Sequence, residues 1–296
     1  MKTPIRYAGG KSRAYNTITK HLPFFQKPKR IISPFMGGGS LEVRWASEMG
    51  IPVLGFDVFW CLTNYWENQL NNPREIYEVL NSLECNKESY KEIKEELQQW
   101  SRVQELFTEW PTEYYKREPK EISDLLGAAY YFFSHNLSYG PMFMGWFSSI
   151  YNDKKKYTKM IERVRDFSCP NLQVENKSFE EVIPNFPNDM IYLDPPYYLK
   201  RDEDNKMFKG IYPNSGFAVH HNSFDHELLR DLLHNHRGSF VLSYNNCETI
   251  REYYKDFKQV FPEWKYSFGQ GETRIGKNRE GGKITKESHE ILIIKE

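Results

Sequence analysis

The sequence predicts an α/β fold in which helices pack on a largely parallel β-sheet. The first indication is a strand–turn–helix–strand pattern over residues 29–57, since two strands joined by a crossover helix form a parallel pair. The second is an apolar stretch at residues 189–193, which predicts a strand that ends directly before Asp194. The third is the apolar stretch at residues 290–295, which we expect to be the last strand.

Each element of the first pattern has its own signal. Residues 29–33 are predicted to be a short buried strand around the two adjacent isoleucines, and the glycines of residues 34–40 predict a turn. Residues 41–49 are predicted to be helical, because Gly50 is a typical residue just after a helix. Residues 53–57 are the next predicted strand.

The C-terminal part continues the alternation of helices and strands. A helix over about residues 223–236 is predicted to precede a strand at residues 239–243. Residues 199–217 are polar and contain glycines, so we expect a loop between the predicted strand at residues 189–193 and this helix.

The middle of the chain differs in composition from the rest. Residues 74–135 are rich in Glu, Lys, Gln and Trp at helical spacing, and residues 136–150 combine aromatic side chains with glycines and a proline. The first stretch predicts helices, with a further helix from about Ser123, and the second predicts a hairpin. We therefore expect a catalytic domain built from residues 1–73 and 151–296, with residues 74–150 inserted as a separate region.

Composition sets limits on the class of protein. The 296 residues carry 40 basic and 40 acidic side chains, which counts against a simple nucleic-acid coat protein but allows an enzyme with a local basic face. No apolar run approaches the roughly 20 residues of a membrane span, and the N-terminal residues do not resemble a signal peptide. The four cysteines are scattered, which suits a reducing cytoplasm in a prokaryotic or viral setting. No metal site is expected.

A tetrapeptide at the end of the strand at residues 189–193 carries the strongest chemical signal. Its residues are Asp194, Pro195, Pro196 and Tyr197. The Asp194 carboxylate and the Pro195 carbonyl could accept hydrogen bonds from the two N–H groups of an exocyclic base amine such as that of adenine. The nitrogen lone pair would then be localised, while Tyr197 could stack on a base flipped out of a duplex. Methyl transfer to that nitrogen would require orientation and charge stabilisation.

The glycine-rich turn carries the second signal. It consists of Pro34, Phe35, Met36, Gly37, Gly38, Gly39 and Ser40. Glycines after a strand let the backbone approach a ligand closely, and Asp57, at the end of the next strand, could accept hydrogen bonds from ribose hydroxyls. By itself this pattern would suit a dinucleotide-binding enzyme equally well.

A third segment lies at the N-terminus. It consists of Arg6, Tyr7, Ala8, Gly9, Gly10 and Lys11. Its glycines and lysine could surround a carboxylate such as the methionine end of a cofactor.

Together, the segments RYAGGK, PFMGGGS, GFD and DPPY resemble the Dam-type (class alpha, D12) DNA adenine-N6 methyltransferases, and their order matches that family as well. The resemblance covers most of the chain. It implies a Rossmann-like S-adenosylmethionine-dependent methyltransferase sheet with one reversed strand, here residues 290–295. It also implies a mostly helical inserted target-recognition region and transfer of a methyl group to the N6 amine of a flipped-out adenine in double-stranded DNA.

The resemblance also assigns roles to individual residues. The N-terminal segment would line the methionine end of S-adenosylmethionine, the glycine-rich turn would form the floor of the cofactor site, and Asp57 would hold the ribose. Ser178 and Phe179 occupy the place where the family commonly contacts the cofactor's adenine. Asp194, which also borders the cofactor, would perform the chemistry together with the rest of the tetrapeptide.

Contacts with DNA are expected from two further regions. The predicted hairpin offers aromatic and apolar side chains for sequence recognition, and the basic stretch at residues 271–286 could bind phosphates. The candidate DNA-binding residues are Tyr139, Pro141, Met142, Phe143, Trp146, Lys277 and Arg279. A restriction endonuclease that cuts the same DNA site is a further candidate partner.

Other interpretations keep part of this pattern. An RNA adenine or DNA cytosine-N4 methyltransferase would use the same chemistry, although cytosine-N4 enzymes more often carry serine at the position of Asp194. A nicotinamide-dependent oxidoreductase would explain the glycine-rich turn and Asp57 but would leave the tetrapeptide and the N-terminal segment without roles. A catalytically inactive DNA-binding module would not need the intact set of acceptors.

Overall fold

The computed structural model of the chain describes residues 1–7, 9–22, 28–105, 122–139, 145–198, 224–262 and 290–296, and only the backbone of residues 101–105. Within these residues one seven-stranded sheet organises the fold. Its strands are β1 (Ile31–Ser33), β2 (Val53–Asp57), β3 (Leu172–Asn176), β4 (Met190–Leu193), β5 (Phe240–Asn245), β6 (Lys258–Val260) and β7 (Glu290–Lys295).

The strands lie in the order β3-β2-β1-β4-β5-β7-β6. The first five in this order are mutually parallel, whereas β7 runs antiparallel to both β5 and β6. The predicted mixed sheet with one reversed C-terminal strand is therefore confirmed. The chain winds outward in one direction from β1 and in the other from β4, so a crevice is expected at the carboxyl ends of these two neighbours.

Helices cover both faces of the sheet. They are α1 (Tyr15–Thr19), α2 (Glu42–Glu48), α3 (Trp60–Asn71), α4 (Pro73–Ser82), α5 (Lys87–Glu105), α6 (Asp124–Leu137), α7 (Lys154–Arg165), α8 (Phe179–Asn185), α9 (His226–Asn235) and α10 (Glu248–Tyr253). A short 3₁₀ helix spans Ser149–Asn152. No helix in the described ranges is long and apolar enough to cross a membrane.

Alternation along β1 divides the core between the two faces. Ile31 belongs to the hydrophobic cluster that includes α3, α4 and α6, and Ile32 belongs to the cluster that includes α8 and α9. Successive side chains of a strand point to opposite faces, so each apolar residue of this short strand stabilises a different layer.

The helices α5 and α6, in the predicted insertion at residues 74–150, carry the apolar faces that the sequence indicates. In α5, Tyr90, Ile93, Leu97 and Trp100 are buried, as their spacing predicts. Ser123 accepts a hydrogen bond from the backbone N–H of Leu126 and caps the N-terminus of α6. These helices share one hydrophobic cluster with the face of the sheet that carries Ile31.

The end of α6 differs from the prediction. The hairpin was expected to begin at residue 136, but α6 continues through Asn136 and Leu137, both fully buried. Burial of Leu137 against the core outweighs the modest helix propensity of the residues that precede it. The hairpin then starts at Ser138, which pairs with Phe147 in an antiparallel bridge.

Candidate active site

The glycine-rich turn and the DPPY tetrapeptide lie next to each other at the carboxyl edge of the sheet. The turn follows β1, the tetrapeptide follows β4, and Ile32 of β1 is paired with Ile191 of β4. Parallel neighbours end at the same edge, so the two segments most strongly marked in the sequence form one site.

The glycine-rich turn is held by Asp57 and by close packing. A carboxylate oxygen of Asp57 accepts a hydrogen bond from the backbone N–H of Gly37 at 3.0 Å, and the other accepts from Phe59 N–H at 3.0 Å. Gly37 has a φ of 48°. A Cβ on Gly38 would lie 2.3 Å from the Cβ of Tyr7, so the N-terminal segment can pack here only against a glycine.

The N-terminal segment is fixed from the other side by α6. Backbone N–H of Arg6 donates to the Asn136 side chain at 2.8 Å, and its guanidinium donates to the Tyr151 hydroxyl at 2.6 Å. The rings of Tyr7 and His135 are stacked with centroids 5.4 Å apart. Contacts with α6 and with Tyr151 thus position the segment that carries Lys11.

Lys11 reaches into the site and pairs with the tetrapeptide. Its ammonium donates to the two carboxylate oxygens of Asp194 at 2.8 and 2.9 Å and to the Tyr197 hydroxyl at 2.9 Å. Lys11 is only 4% exposed. Burial raises the pKa of Asp194, and the Lys11 ammonium opposes that shift because it stabilises the carboxylate.

The tetrapeptide is anchored to β5 and β7 at its other end. The Tyr197 hydroxyl also contacts the buried carboxylate of Glu290, the first residue of β7. Just beyond it, the side chain of Asn245 accepts from Tyr198 N–H at 2.8 Å and donates to Tyr198 O at 2.9 Å. The acceptor Asp194 and the aromatic ring of Tyr197 are therefore both held in place by contacts distant in sequence.

Comparison with models of known protein families identifies the family of the chain. Residues 7–268 match the family described as D12 class N6 adenine-specific DNA methyltransferase. The chain belongs to this family. The match extends from the N-terminal segment beyond β6, and the predicted resemblance is confirmed. The protein is accordingly a methyltransferase that acts on the N6 position of adenine in DNA. No curated protein matches the sequence.

The methyltransferase has an aromatic wall beside the glycine-rich turn. Phe35 and Phe179 lie with ring centroids 5.6 Å apart, and Phe224 contacts both of them. Ser178 caps α8 in a reciprocal arrangement with Glu181. The structure thus brings Phe179 to the glycine-rich turn, as expected for a shared site, and gives Ser178 a structural contact at the start of the helix.

The base of the hairpin lies at the surface. Tyr139 and Trp146 are 63% and 85% exposed, and the Tyr139 N–H donates to the Trp146 carbonyl. Tyr90 of α5 donates to the carbonyl of Gly145 at 2.9 Å and so ties the hairpin to the inserted helices. The candidates Ala8, Pro141, Met142, Phe143, Lys277 and Arg279 lie outside the described residues.

Sequence reasoning missed two buried carboxylates near the tetrapeptide. Glu290 was identified only as the start of a strand, and Glu42 as part of a helix. Glu42 accepts from the Ser33 hydroxyl at 2.8 Å, and burial, followed by the negative charge of Asp194, raises its pKa to about 7. A charged residue type beside an apolar run is the one sequence signal for either position. Among the described residues, no group of three or more His, Cys, Asp or Glu side chains could hold a metal ion.

Proposed function

We propose that the protein transfers the methyl group of S-adenosylmethionine to the N6 amine of an adenine flipped out of double-stranded DNA, at one specific sequence. The observation that carries this proposal is the juxtaposition of Asp194 and Tyr197 with the glycine-rich turn. An acceptor for an amine, an aromatic ring for a base and a backbone shaped for close ligand approach meet at one edge of the sheet.

The fit of the cofactor rests on side chains beside that turn. The Asp57 carboxylate accepts from the backbone N–H groups of Gly37 and Phe59, and a carboxylate beside the turn is a suitable acceptor for ribose hydroxyls. Phe35 and Phe179 offer aromatic faces to an adenine ring. The proposed cofactor residues also include Tyr7, Gly9 and, on the floor of the site, the glycines of the turn. S-adenosylmethionine supplies an electrophilic methyl group on a sulfonium.

Asp194 accepts from Lys11 with both carboxylate oxygens, at 2.8 and 2.9 Å. An ionised carboxylate has about four lone-pair sites, so an adenine amine can donate to Asp194 while the Lys11 ammonium holds the carboxylate in place. Lys11 is also bonded to the Tyr197 hydroxyl. An amine that donates to Asp194, and to the Pro195 carbonyl next to it, has its lone pair localised on nitrogen and directed away from both acceptors.

Positive charge develops on the adenine nitrogen during transfer, and Asp194 is the group placed to stabilise it. Buried, preorganised charges stabilise a transition state more strongly than water does, because they need no reorganisation. Tyr197 would hold the base by stacking, and the exposed Tyr139 and Trp146 would meet the duplex that the base has left.

The experiment combines the purified protein with S-adenosylmethionine labelled on its methyl group and separate pools of double-stranded DNA and RNA. Label is expected on N6 of adenine in DNA, within one short sequence that methylation mapping identifies. Label mainly on RNA, or on N4 of cytosine, would refute the proposal. As a control for the oxidoreductase alternative, binding of nicotinamide cofactors to the protein is measured, and none is expected.

A further inference from the structure

The carboxylate of Glu290 lies inside the site although it comes from the last strand of the sheet. It is 3% exposed and is the first residue of β7, opposite Asn245 at the carboxyl end of β5. Its sequence separation from Tyr197 is 93 residues. A charge buried this deeply is unfavourable unless it is hydrogen-bonded, so its partners indicate its role.

Two hydroxyl groups are hydrogen-bonded to the Glu290 carboxylate. One oxygen accepts from the Tyr197 hydroxyl, and the other accepts from the Ser243 hydroxyl at 3.4 Å. The Tyr197 oxygen is at the same time 2.9 Å from the Lys11 ammonium. A lysine ammonium can only donate and a carboxylate can only accept, so the single hydroxyl proton of Tyr197 must point to Glu290.

The Tyr197 hydroxyl therefore bridges an ammonium and a carboxylate. Lys11 contacts one carboxylate directly, at Asp194, and a second one, Glu290, through this hydroxyl. Two negative charges thus share one positive charge across the tetrapeptide. The Tyr197 hydroxyl is therefore held from two sides, by the Lys11 ammonium and by the Glu290 carboxylate.

We propose that Glu290 is a positioning residue for methyl transfer. It fixes the ring of Tyr197 through the hydroxyl, on the same residue that Lys11 contacts beside Asp194. This role rests on the proposed function of Asp194 and Tyr197. It assigns to the start of β7 a contribution to the reaction that the sequence motifs do not contain.

The test is a double-mutant cycle with Glu290→Gln and Tyr197→Phe. The glutamine keeps the shape and an accepting oxygen but removes the charge, and the phenylalanine removes only the hydroxyl. Glu290→Gln is expected to lower the single-turnover methylation rate by roughly five- to tenfold, because the Tyr197 hydroxyl then donates to a neutral oxygen instead of a charged one. Affinity for S-adenosylmethionine, measured by calorimetry, should stay within about twofold of wild type, because no cofactor contact is removed.

In the Tyr197→Phe background, Glu290→Gln should have little further effect on the rate, since the hydroxyl through which it acts is gone. Equal losses in both backgrounds, or a wild-type rate for Glu290→Gln, would overturn the proposal. Ser243→Ala removes the second hydroxyl that donates to Glu290 and is the matched control. If Ser243→Ala and Glu290→Gln lowered the rate equally, Glu290 would serve only to join β5 and β7.

Urea unfolding of the same four proteins gives a readout that needs no substrate. The destabilisation caused by Glu290→Gln should be smaller in the Tyr197→Phe background than in the wild-type background. Absence of methylation by the wild-type protein would refute the proposed function alone. Additive destabilisation in urea would refute the role of Glu290 independently of any activity.

Discussion

The edge of the sheet at Asp194 and the base of the hairpin at Tyr139 and Trp146 are built in opposite ways. At the sheet edge, a buried ammonium joins two carboxylates through contacts that span the chain. At Tyr139 and Trp146, two aromatic rings are largely exposed, and their neighbours Ser138 and Phe147 are paired in one isolated bridge.

Under the proposed function, this difference would separate catalysis from sequence selection. A preorganised site would treat every flipped adenine alike, since it would contact only groups that all adenines share. Choice among DNA sequences requires side chains that can reach base edges in a groove, and these must be at the surface. The two regions are nevertheless joined, because α6 leads directly into the hairpin and also holds Arg6 and Tyr7 of the N-terminal segment.

The largest expected effect is at the sheet edge. Asp194→Ala should lower the methylation rate by about a thousandfold, near 4 kcal/mol, because a preorganised charge at the reacting amine is lost. Cofactor affinity should remain close to that of wild type. Asp189, which precedes the same strand and pairs with Arg30 at 2.8 Å, provides the matched control, and Asp189→Ala should methylate normally. A near wild-type rate for Asp194→Ala would remove Asp194 from the mechanism.

A second prediction concerns the pH dependence of stability beneath the same edge. The pKa of Glu42 is about 7 in the folded protein, against 4.5 for an ordinary glutamate. Between these pH values the folded state holds a proton that the unfolded state has released, so stability falls as pH rises from about 4.5 to 7. Glu42→Gln mimics the protonated side chain. It should be more stable than wild type at pH 8, by up to about 3 kcal/mol, and similar to wild type near pH 4.5.

The measurement is urea unfolding of both proteins at the two pH values. Comparing the variant with wild type at each pH cancels other titrating groups such as His135, whose pKa burial lowers to about 4. A constant difference between variant and wild type across this range would show that Glu42 is ionised in the folded protein.

A third prediction addresses the cofactor side of the edge. Asp57→Ala should weaken binding of S-adenosylmethionine by roughly ten- to a hundredfold, the cost of losing a charge-assisted hydrogen bond. The glycine-rich turn would also lose its contact at Gly37. DNA binding should change less. Calorimetry with the cofactor measures the first effect, and Asp57→Asn, which keeps one accepting oxygen, should be affected less. If Asp57→Ala bound S-adenosylmethionine as tightly as wild type, Asp57 would be excluded from the cofactor site.

The same contrast explains how much could be predicted from the sequence. Local signals identified β1, α2, β2, β4 and β7, because each is a short apolar pattern with a clear end. They also identified Asp194, Tyr197 and the glycine-rich turn. The pairing of Lys11 with Asp194, over 183 residues, and of Glu290 with Tyr197 arises only when the sheet brings these positions together. No local pattern encodes such contacts.

The fourth prediction, with the smallest effect, concerns the hairpin. Tyr139→Ala and Trp146→Ala should each reduce discrimination between the recognised duplex and a single-mismatch duplex, by about 1 kcal/mol or roughly fivefold. The free energy of unfolding should change by no more than about 0.5 kcal/mol, because both rings are exposed.

Lys277→Ala, in the basic stretch, separates selection from general affinity. A phosphate contact carries no sequence information. This variant should therefore bind both duplexes more weakly, by the same factor, and its binding should depend less on salt. Rates on both duplexes, measured at two salt concentrations for all three variants, distinguish the two kinds of contact. A change of sequence preference in Lys277→Ala alone, with both hairpin variants like wild type, would place selection in the basic stretch instead of the hairpin.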